Sequence, residues 1–277
     1  MTFPFVSTDW LAERLGSPGL VVIDASWHMP ASGRDAQAEY LGGHIPGAIF
    51  FDIDAIADPA TALPHMLPDP VSFSSAMREL GIGDGMRAVV YDSAGLFSAP
   101  RVWWTLRVFG MHEVFVLDGG LPQWKAENRP LEEGPVKRRP SHFTARMDHS
   151  LVANWTDVLH AARSDAAHVI DARAADRFRG EAPEPRPGLR KGHIPGSLNV
   201  PWTDLTSDGR MLGADAILGA FERAGVDWSK PLVTSCGSGV SAALLSLALE
   251  AIGRRSAVYD GSWTEWGGRD DLPLETG

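Results

Sequence analysis

Short runs of β-branched and other apolar residues alternate along the chain with longer segments whose apolar positions recur every three or four residues. In the C-terminal half, HVIDA (168–172), SLNVP (197–201), PLVTS (231–235) and SAVYD (256–260) predict short buried strands. Between them, residues 214–224 and 240–252 predict helices. In the second of these, Ala242, Leu245, Leu249 and Ile252 fall on one face, and Gly253 follows as a terminator. Strands alternating with helices imply an α/β fold with a mostly parallel sheet flanked by helices on both faces. Such sheets bind ligands at the carboxyl ends of their strands, which directs attention to the turn after PLVTS.

The pattern occurs twice. VVIDASW (21–27) returns as HVIDARA (168–174), and GGHIPGAIFFDI (42–53) as KGHIPGSLNVPW (191–202). VFVLDGGLPQW (114–124) returns as SAVYDGSWTEW (256–266). Asp24, His44 and Asp118 thereby match Asp171, His193 and Asp260 in unchanged order, the mark of one domain-sized fold duplicated in tandem. The joint is expected in 127–149, a stretch rich in charge and proline. A boundary near residue 140 gives domains 1–140 and 141–277.

Composition narrows the function. With 44% hydrophobic and 22% charged residues the chain reads as soluble and globular. Its net charge of −10 disfavours nucleic acid and anionic membrane as partners. No run approaches the ~20 apolar residues that span a bilayer, and the N-terminus does not read as a secretory signal. The single cysteine, Cys236, excludes an intrachain disulfide and a cysteine-rich metal site, and fits a reducing compartment. A cytoplasmic protein without metal or organic cofactor is expected.

That cysteine lies in the turn Ser235-Cys236-Gly237-Ser238-Gly239-Val240-Ser241, between a predicted strand and a predicted helix. Gly237 and Gly239 allow successive N–H groups to face one concavity, and the helix N-terminus adds its dipole. The turn is therefore expected to hold the sulfur as a thiolate nucleophile. A lone cysteine is more often a small buried hydrophobe, but the strand–turn–helix setting decides for chemistry. In the first copy the aligned turn, 89–95, puts Ser93 where Cys236 falls, so that copy has no nucleophile. A cysteine phosphatase would need an arginine six positions on, where Ala242 stands, and a papain-like protease signature is absent.

The duplicated GHIPG, the CGSGVSA loop, the SAPRVWW run (98–104) and the closing YDGSWTEW resemble the two-domain sulfurtransferases of the rhodanese superfamily over essentially the whole chain. The neutral Gly237-Ser238-Gly239 resembles the branch that takes sulfur from 3-mercaptopyruvate. Thiosulfate-using members carry basic residues after the cysteine. The resemblance implies a Cys236 persulfide, release of pyruvate, and thioredoxin, a small thiol or cyanide as acceptor. It also implies that Arg177 and Arg186 bind the small-molecule donor, with Gly237, Gly239, Val240 and Ser241 lining it. Ser238, His65 and Asp54 would form a proton relay, the last two contributed by the first domain. Arg179, and His44 and His193 of the repeated turns, read as structural. Ser241 replaces the usual threonine, and Phe97 a frequent tyrosine. A thiosulfate sulfurtransferase and a noncatalytic sulfur-carrier module are the alternative readings.

Overall fold

The structure, a computed structural model, describes residues 4–277. Contacts divide it into two units. The first comprises the chain up to Asp58, Leu67–Asp148 and Asp208–Arg210; the second comprises Pro59–Met66, His149–Ser207 and Met211–Gly277.

In the first unit, β1 (Phe5–Val6), β2 (Leu20–Asp24), β3 (Ile49–Phe50), β4 (Arg87–Tyr91) and β5 (Val114–Leu117) form one sheet. Its order is β1-β5-β4-β2-β3, with every pair parallel. Helices α1 (Thr8–Ala12), α2 (Ala36–Gly42), α3 (Pro70–Glu79), α4 (Ala99–Val108) and α5 (Gly120–Ala126) flank it. The second unit repeats the plan with β6 (Val152–Ala153), β7 (His168–Asp171), β8 (Leu198–Asn199), β9 (Leu232–Ser235) and β10 (Ala257–Tyr259). The order β6-β10-β9-β7-β8, again all parallel, is the first unit's order shifted. Its helices are α6 (Trp155–Ser164), α7 (Ala175–Phe178), α8 (Ala214–Arg223), α9 (Val240–Ala251) and α10 (Ser262–Trp266). Every residue of β2 and β9 is buried, as helices over a parallel sheet require.

Two expectations are corrected. Helix α9 does not bury one face alone: residues 242–249 are all buried, because its sequence is apolar almost all round. Gly253, at φ +75°, ends it as expected. The stretch 127–149 is not a loose joint, since up to Asp148 it is bound along the first unit. Asp84 N–H donates to His142 O at 2.8 Å, and Asp148 N–H to Val108 O at 2.7 Å. Phe143 is buried and meets Phe73 edge-on. The charges of this stretch, which suggested a linker, stay outside while its backbone and Phe143 attach it.

The repeated motifs fasten both copies in the same way. His44 exchanges backbone hydrogen bonds with Glu132, and His193 with Glu275. Their Nδ1 atoms lie 2.8 Å from Tyr40 O and 2.9 Å from Phe178 O, and each ring stacks on the same aromatic residue. Trp124 and Trp266 donate their indole N–H to Pro130 O and Pro273 O. These side chains are occupied in holding turns. Among the described residues no helix is long and apolar enough to cross a membrane.

Candidate active site

Cys236 follows the last residue of β9, and Val240 opens α9. The carbonyls of the turn are tied away. Cys236 O accepts the Trp263 N–H at 3.0 Å, and Gly237 O accepts the Thr264 N–H at 2.8 Å and its hydroxyl at 2.6 Å. Gly239 adopts φ +80°, open to glycine at little cost, and its N–H donates to Cys236 Sγ at 3.1 Å. A thiolate accepts such a bond better than a thiol does. The Ser262 hydroxyl accepts the Cys236 N–H at 3.1 Å, donates to Tyr259 O at 2.8 Å and lies 4.0 Å from Sγ. Cys236 is only 1% exposed. Its sulfur meets the Gly239 N–H and the Ser262 hydroxyl, so burial here does not make it an inert apolar filler. Ser238 and Val240 are buried in the same turn and Ser241 is half-buried.

Ser262 holds φ +49°, where the matching residue of the first copy is Gly120 at φ +53°. A non-glycine residue there costs about 1–2 kcal/mol. The second copy carries that cost together with a hydroxyl beneath the cysteine. Ser262→Ala is expected to lower stability by about 1–3 kcal/mol, because the buried Cys236 N–H loses its acceptor; urea unfolding measures it.

Strand register corrects the alignment of the two turns. Asp24 pairs with Tyr91 and Asp171 with Ser235, so the residue after each strand is Asp92 in one copy and Cys236 in the other. Ser93, aligned with Cys236 by sequence, corresponds to Gly237; the first copy's longer loop hides this when spacing is the only guide. The Asp92 carboxylate accepts four backbone N–H groups: Ala94 at 2.9 Å, Phe97 at 2.8 Å, Ser98 at 2.9 Å and Ala99 at 2.8 Å. The copy without a thiol thus places a carboxyl group at the cysteine position, cradled by backbone donors at a helix start.

Arg177, on α7, lies against the turn: a Cβ on Gly237 would stand 3.4 Å from its Nη2. That Nη2 bonds Glu184 at 2.5 Å, and the other carboxylate oxygen of Glu184 bonds Arg173 Nη1 at 2.8 Å. Arg173 also forks onto Asp171 through Nε and Nη2, donates to Gly192 O at 2.9 Å, and stacks 4.4 Å above the Trp263 ring. The Glu184 side chain is 2% exposed, and this well-paired buried network fixes Arg177. Arg177 Nε is itself buried and makes no hydrogen bond among the described residues.

Arg186 Nη2 lies 3.4 Å from His65 Nε2. A guanidinium can only donate, so in this contact Nε2 is the accepting atom. His65 is buried at φ +64°, an uncommon conformation for a bulky side chain. By contacts it belongs with the second unit, through the segment Pro59–Met66, although it precedes α3 in the chain. Asp54 belongs to the first unit, is exposed, and accepts the Trp27 indole N–H at 2.9 Å. Arg179 pairs with Glu181 on the surface. Phe97 stacks on Trp27. Arg173, Glu184 and Ser262 escaped the reading of the sequence. The one available signal was that Arg173 and Ser262 differ from their counterparts Ser26 and Gly120 inside otherwise repeated motifs.

A strand–turn–helix cysteine over a duplicated parallel sheet finds its match among known proteins. The model of the rhodanese-like domain matches residues 7–127 and again 155–269. The chain belongs to the rhodanese-like family, as a tandem-domain sulfurtransferase. Over 273 residues it is 49% identical to the 3-mercaptopyruvate sulfurtransferase of Escherichia coli K12, covering 98% of this chain and 97% of that protein. It is 44% identical over 269 residues to the 3-mercaptopyruvate sulfurtransferase of Homo sapiens, covering 94% of this chain and 91% of that protein. The crystal structure of SseA from Escherichia coli, described as having the rhodanese fold of 3-mercaptopyruvate sulfotransferases, superposes with a TM-score of 0.88 at 46% identity. That match covers 95% of this chain and 99% of SseA.

Proposed function

We propose that this chain takes sulfur from 3-mercaptopyruvate and passes it, through a persulfide on Cys236, to a thiophilic acceptor, releasing pyruvate. The observation that carries this reading is Arg177. Its Nη2 is anchored to Glu184 beside Gly237, while its buried Nε–H has no acceptor among the described residues and is available to an anionic donor next to the sulfur. The names of the relatives support the choice of donor.

In this reading the Cys236 thiolate attacks the donor sulfur. A sulfur–sulfur bond forms, the donor's carbon–sulfur bond breaks, and its electron pair leaves on carbon as the enolate of pyruvate. Protonation of that carbon completes pyruvate. The electrons balance without an external oxidant, because the carbon gains the pair that the transferred sulfur gives up. Arg177 and Arg186 hold the carboxylate and keto oxygen and stabilise the enolate. Ser238, His65 and Asp54 move the proton. Gly237, Gly239, Val240 and Ser241 surround the persulfide. Thioredoxin, a small thiol or cyanide then takes the outer sulfur, in ping-pong order.

A second reading, thiosulfate as donor, is favoured by 43% identity over 270 residues to the thiosulfate sulfurtransferase of Bos taurus. Against it, no basic residue stands between Cys236 and Ser241 to meet a dianion. The test compares kcat/KM for both donors in wild type and in Arg177→Ala. Mercaptopyruvate is expected to be preferred, and its kcat/KM to fall about 10²-fold in the variant, with a smaller loss for thiosulfate. Intact-mass spectrometry after donor exposure should find one added sulfur atom. Equal losses for the two donors, or no pyruvate released by wild type, refute the reading.

A further inference from the structure

The duplication allows each position of one unit to be read against the other. In the second unit the Arg173 guanidinium rests on Asp171, on Gly192 O and over Trp263. The corresponding positions of the first unit are Asp24, Gly43 (just before the repeated histidine) and Leu121 (three residues past the repeated aspartate). Arg173 itself corresponds to Ser26. Matched hydrogen bonds fix this correspondence. Ser26 N–H donates to Asp24 Oδ1 at 2.9 Å as Arg173 N–H does to Asp171 Oδ1. Leu121 N–H donates to Asp92 O as Trp263 N–H does to Cys236 O, both at 3.0 Å. All four first-unit residues line one cavity of about 490 Å³. Serine for arginine and leucine for tryptophan remove the side-chain volume that fills this space in the other copy.

We propose that this cavity binds a small guanidino acid, its guanidinium paired with Asp24 and its carboxylate with Lys125. Asp24 is 1% exposed, receives the Ser26 N–H at 2.9 Å, and forms no ion pair among the described residues. Burial, with the nearby Asp92 charge adding to it, holds its carboxyl above the usual carboxylate range. Of the other charges lining the cavity, Arg34 and Glu39 neutralise each other through a two-pronged pair at 2.7 Å and 2.7 Å. Arg34 also reaches Ser93 Oγ at 3.5 Å. Lys125, on α5, forms no ion pair among the described residues, so Asp24 and Lys125 are the two charges left to a ligand. The volume lies within the ordinary range for small-molecule sites. A planar guanidinium fits because the walls correspond to those that hold one in the second unit. The inference is independent of the sulfur-transfer reading.

Isothermal titration of the full-length protein with L-arginine, L-citrulline and agmatine tests it. Citrulline keeps the carboxylate and replaces the guanidinium by a neutral urea; agmatine keeps the guanidinium and lacks the carboxylate. Arginine is expected to bind at one site, citrulline about tenfold or more weaker, and agmatine in between. Ser26→Arg, which would supply the cavity with its own guanidinium, is expected to abolish arginine binding without lowering the thermal midpoint. Asp24→Asn carries the same expectation for binding, should Ser26→Arg fail to fold. Absence of arginine binding, equal affinity for arginine and citrulline, or undiminished binding in the variants overturns the proposal. Agmatine binding as tightly as arginine overturns the part assigned to Lys125.

Discussion

Cys236→Ser is expected to abolish sulfur transfer, lowering kcat by about 10⁴-fold or more, while changing stability by no more than about 1 kcal/mol. A serine oxygen can take the Gly239 N–H that now meets Sγ at 3.1 Å, and the Cys236 N–H keeps its Ser262 acceptor. The turn therefore keeps its shape and loses only its chemistry. A neutral hydroxyl at this position is a weak nucleophile beside a thiolate. Pyruvate release measured beside urea unfolding separates the two effects. Residual turnover within about tenfold of wild type would remove Cys236 from the mechanism.

Glu184→Gln is expected to have the next largest effect, on stability and on catalysis together. One carboxylate with a 2%-exposed side chain serves two guanidinium groups, on Arg173 and Arg177. Removing its charge while both cations remain is expected to cost about 3–5 kcal/mol, as for other broken buried pairs. Arg177 would then lose its anchor beside Gly237, and misplacement of a binding group by about 1 Å costs about 10²-fold. Because Glu184 acts through Arg177, it is a positioning residue, and KM for mercaptopyruvate should rise along with the fall in kcat. Glu184→Gln and Arg177→Gln combined should cost less activity than the product of the single losses. Independent, multiplicative losses would show that Glu184 does not work through Arg177.

Much of the architecture was legible because it follows from local rules. Buried strands announce themselves as HVID and LVTS, and a repeat of three motifs in constant order needs no structure to be seen. The cysteine turn was legible for the same reason, since strand, glycines and helix are contiguous. What misled were inferences that depend on the third dimension. Helix α9 looked one-sided from spacing, yet it is enclosed on all sides. Ser93 seemed the counterpart of Cys236 until parallel register assigned that place to Asp92. The charged stretch 127–149 looked detached, because composition reports what faces solvent and says nothing of the backbone bonds that hold Asp84 to His142 or Asp148 to Val108.

By itself, the chain's order of residues determined that there are two α/β copies, that one alone carries a thiol, and that the thiol lies in the turn between a strand and a helix. These are properties of contiguous segments, governed by periodicity and by the backbone freedom of glycine. Only the folded molecule decided which side chains attend the sulfur. Ser262 reaches it from 26 residues away, Glu184 ties Arg177 to a buried network, and Asp24 is left without the cation that its counterpart Asp171 possesses. Such encounters depend on distances between segments far apart in the chain, which packing of the sheet and helices sets and which no local pattern encodes.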